Sequence, residues 1–396
     1  MRRSICFCHP NHAIAGQKGT WSFIYTSSGD LPKGTKIKFD LLSKERPFDW
    51  QIPQISSKDE NTIWAKLPNG KSLIPTLKES DAFEFTLPSA IKTGENFSIF
   101  IGSPSLKPEK GNTCQTYVQR KRLFNLYIDP KGDGNYKDPE VFALDVKGNI
   151  LKVLRIITPS VVARNKRFDV IVRFEDEFGN LSNNAPEGTL IDLSYDHLRE
   201  NFNWKLFVPE TGFINLPNLY FNEPGVYRIK LKNLSTQETF FSWPIKCFAE
   251  CDLNLFWGLL HGENVRFDST ENLENCLKSF RDESVFQFYA TSPFDSEEET
   301  SPDNWKSICH HITEFNEDDR FITFLGFQWV GDPKEEGLRQ IIYSKDEKPI
   351  LRKKDLKNNS LKKMYKSYQP KDLLSIPSFT MGDVSLLNFE DFNPEF

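Results

Sequence analysis

The spacing of apolar residues changes once along this chain, near Cys251. Before that point apolar and polar residues alternate, as they do from Phe168 to Phe174, which is typical of half-buried β-strands. After it, apolar residues recur three and four positions apart, as they do from Leu273 to Phe280, which indicates amphipathic helices. The chain is therefore predicted to contain antiparallel β domains followed by an α/β domain.

Turn signals divide the β region into two blocks. Leu31–Gly34 and Pro68–Gly70 separate alternating strands of the first block, and Glu175–Asn180 closes a strand of the second. A chain of 396 residues is long enough for two or three cores. We predict an N-terminal β-sandwich at 1–147, an Ig-like β-sandwich at 148–250 and a partial α/β domain at 251–396.

The last block alternates short apolar strands with helices. Helices are predicted behind a cap at Ser269 and Thr270 and from Trp305 to Phe315. The strand candidates are Leu253 to Leu260, Val285 to Ala290, Phe321 to Phe327, Gln340 to Tyr343 and Leu373 to Ile376. This alternation predicts a mainly parallel sheet.

Charge and targeting signals narrow the range of partners. The 50 basic and 55 acidic residues give a net charge of −5, which favours neither nucleic acid nor a membrane as partner. Polar residues follow Arg2 and Arg3 where a signal peptide needs an apolar stretch. The seven Cys show no regular framework and fit reduced thiols. We therefore expect a cytoplasmic protein.

Several motifs resemble one known family. Ser242-Trp-Pro-Ile245 leads into Leu255-Phe-Trp-Gly-Leu-Leu-His-Gly-Glu263, and Phe324-Leu-Gly-Phe-Gln-Trp329 and Gly337-Leu-Arg-Gln-Ile-Ile-Tyr343 follow. These segments resemble an uncharacterised bacterial family in which an Ig-like sandwich precedes a PHP-type (polymerase and histidinol phosphatase) metallohydrolase barrel. Ala15-Gly16 and the Glu175–Asn180 turn also match, so the resemblance covers most of the chain.

The resemblance implies a divalent metal site at the barrel mouth, where a metal-bound water attacks a phosphate ester. This sequence keeps His261, but Glu263 stands where the family has a second His. The other family ligands are replaced by apolar or neutral side chains at Leu259, Ser292, Pro293, Gln328, Leu338, Ser378 and Phe379. We expect a degenerate, non-catalytic relative that serves as a binding or scaffold protein and needs no cofactor.

A different class of function stays open beside this one. His261 and Glu263, with help from Asp268 or Asp383, would serve a residual phosphoesterase that holds Mn, Zn or Fe. Alternatively, His261 simply packs at a strand end beside a solvated Glu263. The predicted strands and helices are also fewer than a complete barrel of this type needs. A second polypeptide or a homodimer would then complete it.

Weaker motifs have two readings each. One motif consists of Cys6, Cys8, His9 and His12. These side chains are suitable zinc ligands, and the alternative is that the segment is a frayed terminus without a site. The segment Asp129–Glu140 resembles a calcium loop, or else a Gly-rich turn. The basic stretch Arg352–Lys371 has a composition suited to nucleic acid, or forms a solvated helix face.

Other histidines and tryptophans lie outside these motifs. His310 and His311 lie on the predicted second helix, away from any barrel mouth. Trp50, Trp64 and Trp204 are either exposed binding aromatics for glycans or proteins, or buried core residues.

Overall fold

The computed structural model describes residues 4–43, 46–55, 60–136, 138–195, 204–251, 255–261, 270–318, 320–332 and 336–378. The chain divides into two compact units. One comprises 1–158, 167–220 and 226–245, and the other comprises 159–166, 221–225 and 246–396. Both predicted β blocks thus contribute to the first unit, and the α/β block forms most of the second.

The first β block, here called sandwich 1, contains thirteen strands in the described residues. They are β1 (Ile5–His9), β2 (His12–Ile14), β3 (Lys18–Gly19), β4 (Trp21–Thr26), β5 (Lys36–Asp40), β6 (Thr62–Lys66), β7 (Ser72–Leu73), β8 (Thr76–Glu79), β9 (Ala82–Thr86), β10 (Asn96–Gly102), β11 (Asn112–Thr113), β12 (Gln119–Asp129) and β13 (Glu140–Lys147).

Two sheets form sandwich 1 and bury its aromatic residues between them. A five-stranded sheet has the order β1-β4-β10-β6-β7, a six-stranded sheet has the order β2-β13-β12-β5-β9-β8, and β3 pairs with β11. Phe23 lies at the centre of the core, with its ring centroid 4.9 Å from that of Phe39, 4.7 Å from Phe124 and 5.5 Å from Phe142. Alternation along the strands points these rings inward.

The N-terminal segment is ordered, so the expectation of a frayed tail there is wrong. β1 pairs antiparallel with β4, with Cys6 opposite Tyr25 and Cys8 opposite Phe23. Cys8 is buried, and Cys6 packs against the same core. The two thiols thus act as small apolar groups that help to hold the segment against sandwich 1. Interpreting the motif as a set of metal ligands does not predict this packing.

The second β block, here called sandwich 2, contributes two sheets to the first unit. Its strands are β14 (Val153–Ile157), β16 (Phe168–Glu175), β17 (Leu190–Tyr195), β18 (Trp204–Phe207), β19 (Phe213–Leu219), β21 (Ile229–Asn233) and β22 (Thr239–Phe241). The sheet orders are β14-β16-β19 and β18-β17-β21-β22. Val170, Val172, Leu193 and Leu231 are fully or almost fully buried, which confirms the predicted alternation. β20 spans Gly225–Tyr227.

The second unit joins helices to short strands. Its elements are β15 (Val161–Ala163), β23 (Ile245–Phe248), β24 (Gly258–Leu259), α1 (Thr270–Lys278), β25 (Phe288–Ala290), α2 (Pro302–Phe315), β26 (Ile322–Phe324), β27 (Gly326–Val330), β28 (Leu338–Tyr343), α3 (Leu361–Ser367) and β29 (Leu373–Pro377). Both helices predicted from the sequence are present. Ser301 caps α2 by accepting a hydrogen bond from the main-chain nitrogen of Asn304.

The strands of the α/β block form two three-stranded sheets, β24-β25-β26 and β27-β28-β29, so the expectation of one mainly parallel sheet is wrong for the second half of the block. β24, β25 and β26 are parallel, whereas β27, β28 and β29 pair antiparallel. The connection from β27 to β28 is too short for the crossover that parallel neighbours need. Within the described residues the strands form two open sheets, and a barrel of the PHP type, which the sequence predicted only in part, is not supported.

The chain as described is mostly β-structure, with 42% strand and 10% helix. Within the described ranges, no helix combines the length and the apolar character that crossing a lipid bilayer requires.

Candidate functional site

Polar residues gather at the carboxyl ends of the parallel strands of the second unit. His261 follows β24, Thr291 and Ser292 follow β25, and Gln328 and Gln340 lie on β27 and β28. This end of a parallel sheet is where α/β proteins usually hold their ligands, because the strands deliver successive loops to one edge. We call these five residues the neutral polar cluster.

Hydrogen bonds connect the neutral polar cluster across three strands. Gln328 and Gln340 are register partners on β27 and β28, so their side chains share one face. Gln328 Nε2 donates to the main-chain oxygen of Ser292 at 2.7 Å, and Gln340 Nε2 donates to that of Thr291 at 2.8 Å. His261 Nδ1 lies 3.4 Å from Gln340 Oε1. Three of the predicted positions, His261, Ser292 and Gln328, are therefore neighbours through these hydrogen bonds and the pairing of Gln328 with Gln340.

The cluster is closed and tightly packed. Thr291, Ser292, Gln328 and Gln340 are all buried. The hydroxyl of Thr291 donates to the main-chain oxygen of Gly326 at 2.8 Å and accepts from its nitrogen at 3.0 Å. A Cβ at Gly326 would lie 2.6 Å from the Thr291 oxygen and 3.0 Å from Gln340 Nε2. Only glycine permits this approach of the two strands.

The five residues of the neutral polar cluster include no carboxylate or thiol, and the amide N–H groups of its glutamines face the main chain. A main-chain oxygen can only accept, so the amide nitrogens of Gln328 and Gln340 must face Ser292 and Thr291. Gln328 Oε1 is buried and makes no hydrogen bond with the described residues. The described residues also contain no group of three His, Cys, Asp or Glu side chains placed to share a metal ion. One imidazole among amides and hydroxyls does not fit a divalent metal centre.

The remaining family positions are distributed as follows. Leu338 is buried, and the main-chain nitrogen of Ser378 donates to its oxygen at 3.0 Å, so these two positions are also neighbours. Leu259 ends β24, and the main-chain oxygen of Pro293 accepts from the Gln328 nitrogen at 2.7 Å. Glu263, Asp268, Phe379 and Asp383 lie outside the described residues.

The buried carboxylate of Asp295 bonds to the backbone. Asp295 is buried and accepts hydrogen bonds from the main-chain nitrogens of Val330 at 3.3 Å and Lys353 at 3.2 Å. Burial raises the pKa of Asp295, while these donors and the guanidinium of Arg352 oppose the rise. Arg352 in turn donates to the main-chain oxygens of Asp295 and Thr300. Asp295 thus fastens the segment after β25 to β27.

The calcium-loop motif forms a turn. The carboxylate of Asp129 accepts hydrogen bonds from the main-chain nitrogens of Lys131 at 3.1 Å, Gly132 at 2.9 Å and Gly134 at 2.7 Å. Gly132 and Gly134 have φ of 71° and 93°, which explains the glycines. Glu140 lies on β13, where it accepts from Ser4. The Gly-rich turn is therefore the correct reading of this segment.

The N-terminal Cys and His residues do not converge as zinc ligands among the described residues. His9 and His12 are exposed, and burial raises the pKa of both Cys6 and Cys8 to about 12, with Glu140 adding to the rise at Cys6. Both thiols therefore stay protonated near neutral pH in the folded protein.

Other candidate residues serve the core or the surface. Both histidines belong to α2. His311 is buried, with Nδ1 2.8 Å from the main-chain oxygen of Ser307, and His310 is exposed. Trp50 is buried beside Trp21, at 4.8 Å between ring centroids, and Trp64 stacks on Phe100 at 5.2 Å. The side chain of Trp204 lies outside the described residues.

The basic stretch contributes α3 to the second unit. Leu361 and Met364 are buried, and the hydroxyl of Tyr365 donates to Ser375 Oγ at 3.0 Å. Tyr368 lies 6.2 Å from Tyr343 between ring centroids. These two tyrosines, which the composition suggested as nucleic-acid contacts, therefore pack against the core.

Sequence reasoning missed Gln340, the residue that joins His261 to Thr291. The resemblance includes Gln340 in its Gly337–Tyr343 segment but gives it no role. No local pattern marks Gln340, because β28 is buried at every position and the pairing of Gln340 with Gln328 depends on the register of β27 and β28.

Comparison with known proteins gives relatives but no described activity. No protein-family profile matches the chain. It is 52% identical to an uncharacterised protein of Chlamydia pneumoniae and 48% identical to uncharacterised proteins of Chlamydia trachomatis and Chlamydia muridarum. Each alignment covers 100% of this chain but 65% of the relative, so the chain spans about two thirds of the length of these curated relatives.

Among solved structures, the D00-D0 domain of Intimin covers 62% of this chain and 100% of its own, at 11% identity and a TM-score of 0.26. A likeness at this level supports no inference about function. None of these comparisons identifies the PHP-type domain that the sequence resemblance implied.

Proposed function

We propose that the second unit is a degenerate relative of PHP-type metallohydrolases and that the protein acts as a non-catalytic binding or scaffold protein. The observation that carries the proposal is the pair of hydrogen bonds from Gln328 Nε2 to Ser292 and from Gln340 Nε2 to Thr291. A metal site needs lone pairs that point toward a shared ion. Here two side chains at the expected place point N–H groups toward the backbone instead.

Restoring an acidic ligand at Gln328 would conflict with its surroundings. A carboxylate there would place an oxygen against the Ser292 oxygen, where the amide nitrogen now lies at 2.7 Å. Two acceptors at that distance repel each other, and the buried carboxylate would lose the hydrogen bond that the amide now donates. The cluster thus favours a neutral amide at this position and stabilises the fold without holding an ion.

A residual metal-dependent phosphoesterase is the alternative. It would use His261, which reaches the cluster at Gln340, together with Glu263. A His and a Glu two positions apart in sequence are suitable ligands for Mn, Zn or Fe. This alternative requires a coordination sphere completed by residues other than Thr291, Ser292, Gln328 and Gln340, whose described hydrogen bonds are internal to the fold.

Metal content separates the two proposals. The purified full chain would be incubated with Mn, Zn or Fe, freed of excess ion and assayed by elemental analysis and by hydrolysis of p-nitrophenyl phosphate. We expect less than one ion per chain and no turnover. His261→Ala and the matched control His310→Ala, which removes an exposed imidazole, should leave metal content unchanged.

Two or more ions per chain that fall with His261→Ala and not with His310→Ala would overturn the non-catalytic proposal. One stoichiometric ion lost with either His261→Ala or Glu263→Gln, together with turnover, would establish the residual phosphoesterase.

A further inference from the structure

Two motifs of the sequence resemblance meet in the first unit, although they belong to different sandwiches. Ala15-Gly16 lies in sandwich 1, and the Glu175–Asn180 turn lies in sandwich 2. We propose that this turn, together with the linker residue Asn149, is a lock that fixes sandwich 2 to sandwich 1 as one rigid body. The inference does not depend on the chemistry of the neutral polar cluster.

Asp176 builds the core of the lock. Its carboxylate is buried and accepts hydrogen bonds from the main-chain nitrogens of Asn149 at 2.8 Å, Phe178 at 2.9 Å and Asn180 at 2.9 Å. The side-chain amide of Asn180 also donates to it at 2.9 Å. A carboxylate with this many donors holds the turn in a single conformation and binds the linker to it.

Asn180 extends the lock to sandwich 1 with both ends of its amide. Nδ2 donates to the main-chain oxygen of Thr116 at 2.9 Å, and Oδ1 accepts from the main-chain nitrogen of Val118 at 3.1 Å. A side-chain amide that donates and accepts in this way replaces a backbone partner. The segment before β12 is therefore joined to a turn about sixty positions later in the chain.

Asn149 and Phe178 add contacts on the other side of the turn. Asn149 Nδ2 donates to the main-chain oxygen of Ala15 at 3.0 Å. Gly16 has φ of 69°, and a Cβ built on it would lie 2.5 Å from the ring of Phe178. Gly16 thus meets two requirements at once, a left-handed turn and room for the ring.

The linker is short enough for these contacts to decide the geometry. β13 ends at Lys147 and β14 begins at Val153. Adjoining domains move relative to each other unless the interface is large or specifically fastened. Here the two sandwiches are joined by at least three side-chain hydrogen bonds to the main chain, and both belong to a single compact unit. Such a body would present two sandwiches at a fixed spacing.

Cleavage of the linker in the full chain tests the lock. Trypsin can cut after Lys147 and Lys152, which flank Asn149, only if the linker leaves its bound conformation. We expect Asn180→Ala and the double variant Phe178→Ala/Asn180→Ala to raise the rate of cleavage at these sites at least tenfold. Hydrogen exchange at Asn149, whose bond to Asp176 neither variant removes directly, should accelerate as well.

Asn69→Ala is the matched control, because Asn69 also fixes a turn, accepting from the Lys71 nitrogen, but faces solvent. It should leave linker cleavage unchanged. Circular dichroism and unchanged exchange in α2 confirm that each variant is folded. Two results would overturn the lock. The first is cleavage of the linker in the unmodified protein at the rate of an exposed loop. The second is a double variant in which neither the rate of linker cleavage nor the hydrogen exchange of Asn149 changes.

Discussion

Gln328 and Gln340 face each other across β27 and β28, and each turns its amide nitrogen to a main-chain oxygen of the segment that follows β25. These bonds add to backbone pairing at the same place, where the main-chain nitrogen of Gln328 donates to the Pro293 oxygen at 2.7 Å and that of Asp295 donates to the Gln328 oxygen at 2.9 Å. The segment after β25 is thus held to β27 and β28 by both main-chain and side-chain donors. The cluster thus has a structural task that requires no ligand.

Gln328→Glu should destabilise the protein at neutral pH. The change replaces a donor to the Ser292 oxygen by an acceptor in a buried position, which costs about 1–3 kcal/mol of unfolding free energy. Burial and the facing oxygen favour the protonated carboxyl, so the loss should shrink as pH falls from 7 to 5. Urea denaturation at the two pH values measures both effects.

Gln237→Glu is the matched control for this change. Gln237 also donates its amide to a main-chain oxygen, that of Leu234 at 2.6 Å, but it is exposed. Water can solvate the new carboxylate, so the free energy of unfolding should change by no more than about 0.5 kcal/mol. Equal losses for the buried and the exposed variants would contradict the account of the cluster.

Gly326→Ala should loosen the cluster. The added methyl group would lie 2.6 Å from the Thr291 oxygen and 2.9 Å from the Ile341 oxygen, both in the backbone, so β27 has to shift. Overpacking of this kind costs about 1–3 kcal/mol. Gly29→Ala is the control, because a Cβ there meets no atom within 4 Å. Thermal melts should show a clear drop for Gly326→Ala only; a fall shared by both variants would show that the close approach is unimportant.

Much of the fold follows from local patterns. The alternation from Phe168 to Phe174 predicts β16, and the helical spacing before Phe315 predicts α2, because each pattern reflects one buried face. The direction of β27 to β29 could not be predicted in the same way. Strand direction depends on which edge a strand joins, and a strand such as β28 (Leu338–Tyr343), which is buried at every position, has no one-sided pattern that reveals its orientation.

The sequence predicted the location of the candidate site better than it predicted the chemistry of its side chains. The resemblance brought His261, Ser292 and Gln328 to one region, and their hydrogen-bonded neighbours do lie together. It did not reveal that Gln328 and Gln340 bond to the backbone, since a hydrogen bond to a main-chain oxygen leaves no mark in residue spacing. The N-terminal error has a similar cause: position at the terminus predicts a frayed segment, whereas the order of this segment follows from the pairing of β1 with β4.

Cys8 and Cys6 should react slowly with alkylating reagents while the protein is folded. Burial raises the pKa of both thiols to about 12 from an ordinary value of 9.0. At pH 8 the thiolate fraction is then about a thousandfold smaller than in the unfolded chain. Iodoacetamide labelling read by peptide mass spectrometry, with urea-unfolded protein as control, measures the ratio. Similar labelling rates in the two states would refute the buried placement of β1.

The same two thiols give a pH dependence of stability with a defined sign. The folded state holds their protons more tightly than the unfolded chain does. Stability from this source is therefore complete below pH 9 and is lost as pH rises toward about 12. Urea unfolding at pH 8 and pH 10 should show a fall that is reduced in a Cys6→Ala/Cys8→Ala variant. An equal fall in both proteins would assign the effect to other groups.

A fragment of the two sandwiches should fold without residues 249–396, provided that it includes β1. The sheets of sandwich 1 enclose their own core around Phe23, and the sheets of sandwich 2 bury their own strands, so both have the apolar contacts needed for cooperative unfolding. A fragment of residues 4–248 should therefore melt in one cooperative step.

A shorter fragment of residues 12–248 tests the contribution of β1. It lacks this strand, which leaves the edge of β4 unpaired and removes Cys8 from its position opposite Phe23. We expect this shorter fragment to melt about 2–8 °C lower, because a loss of about 1–2 kcal/mol shifts the melting temperature of a chain of this size by about 2–4 °C per kcal/mol. Differential scanning calorimetry of the two fragments decides the matter: equal melting temperatures would show that β1 adds nothing, and insolubility of both would show that the sandwiches need the second unit.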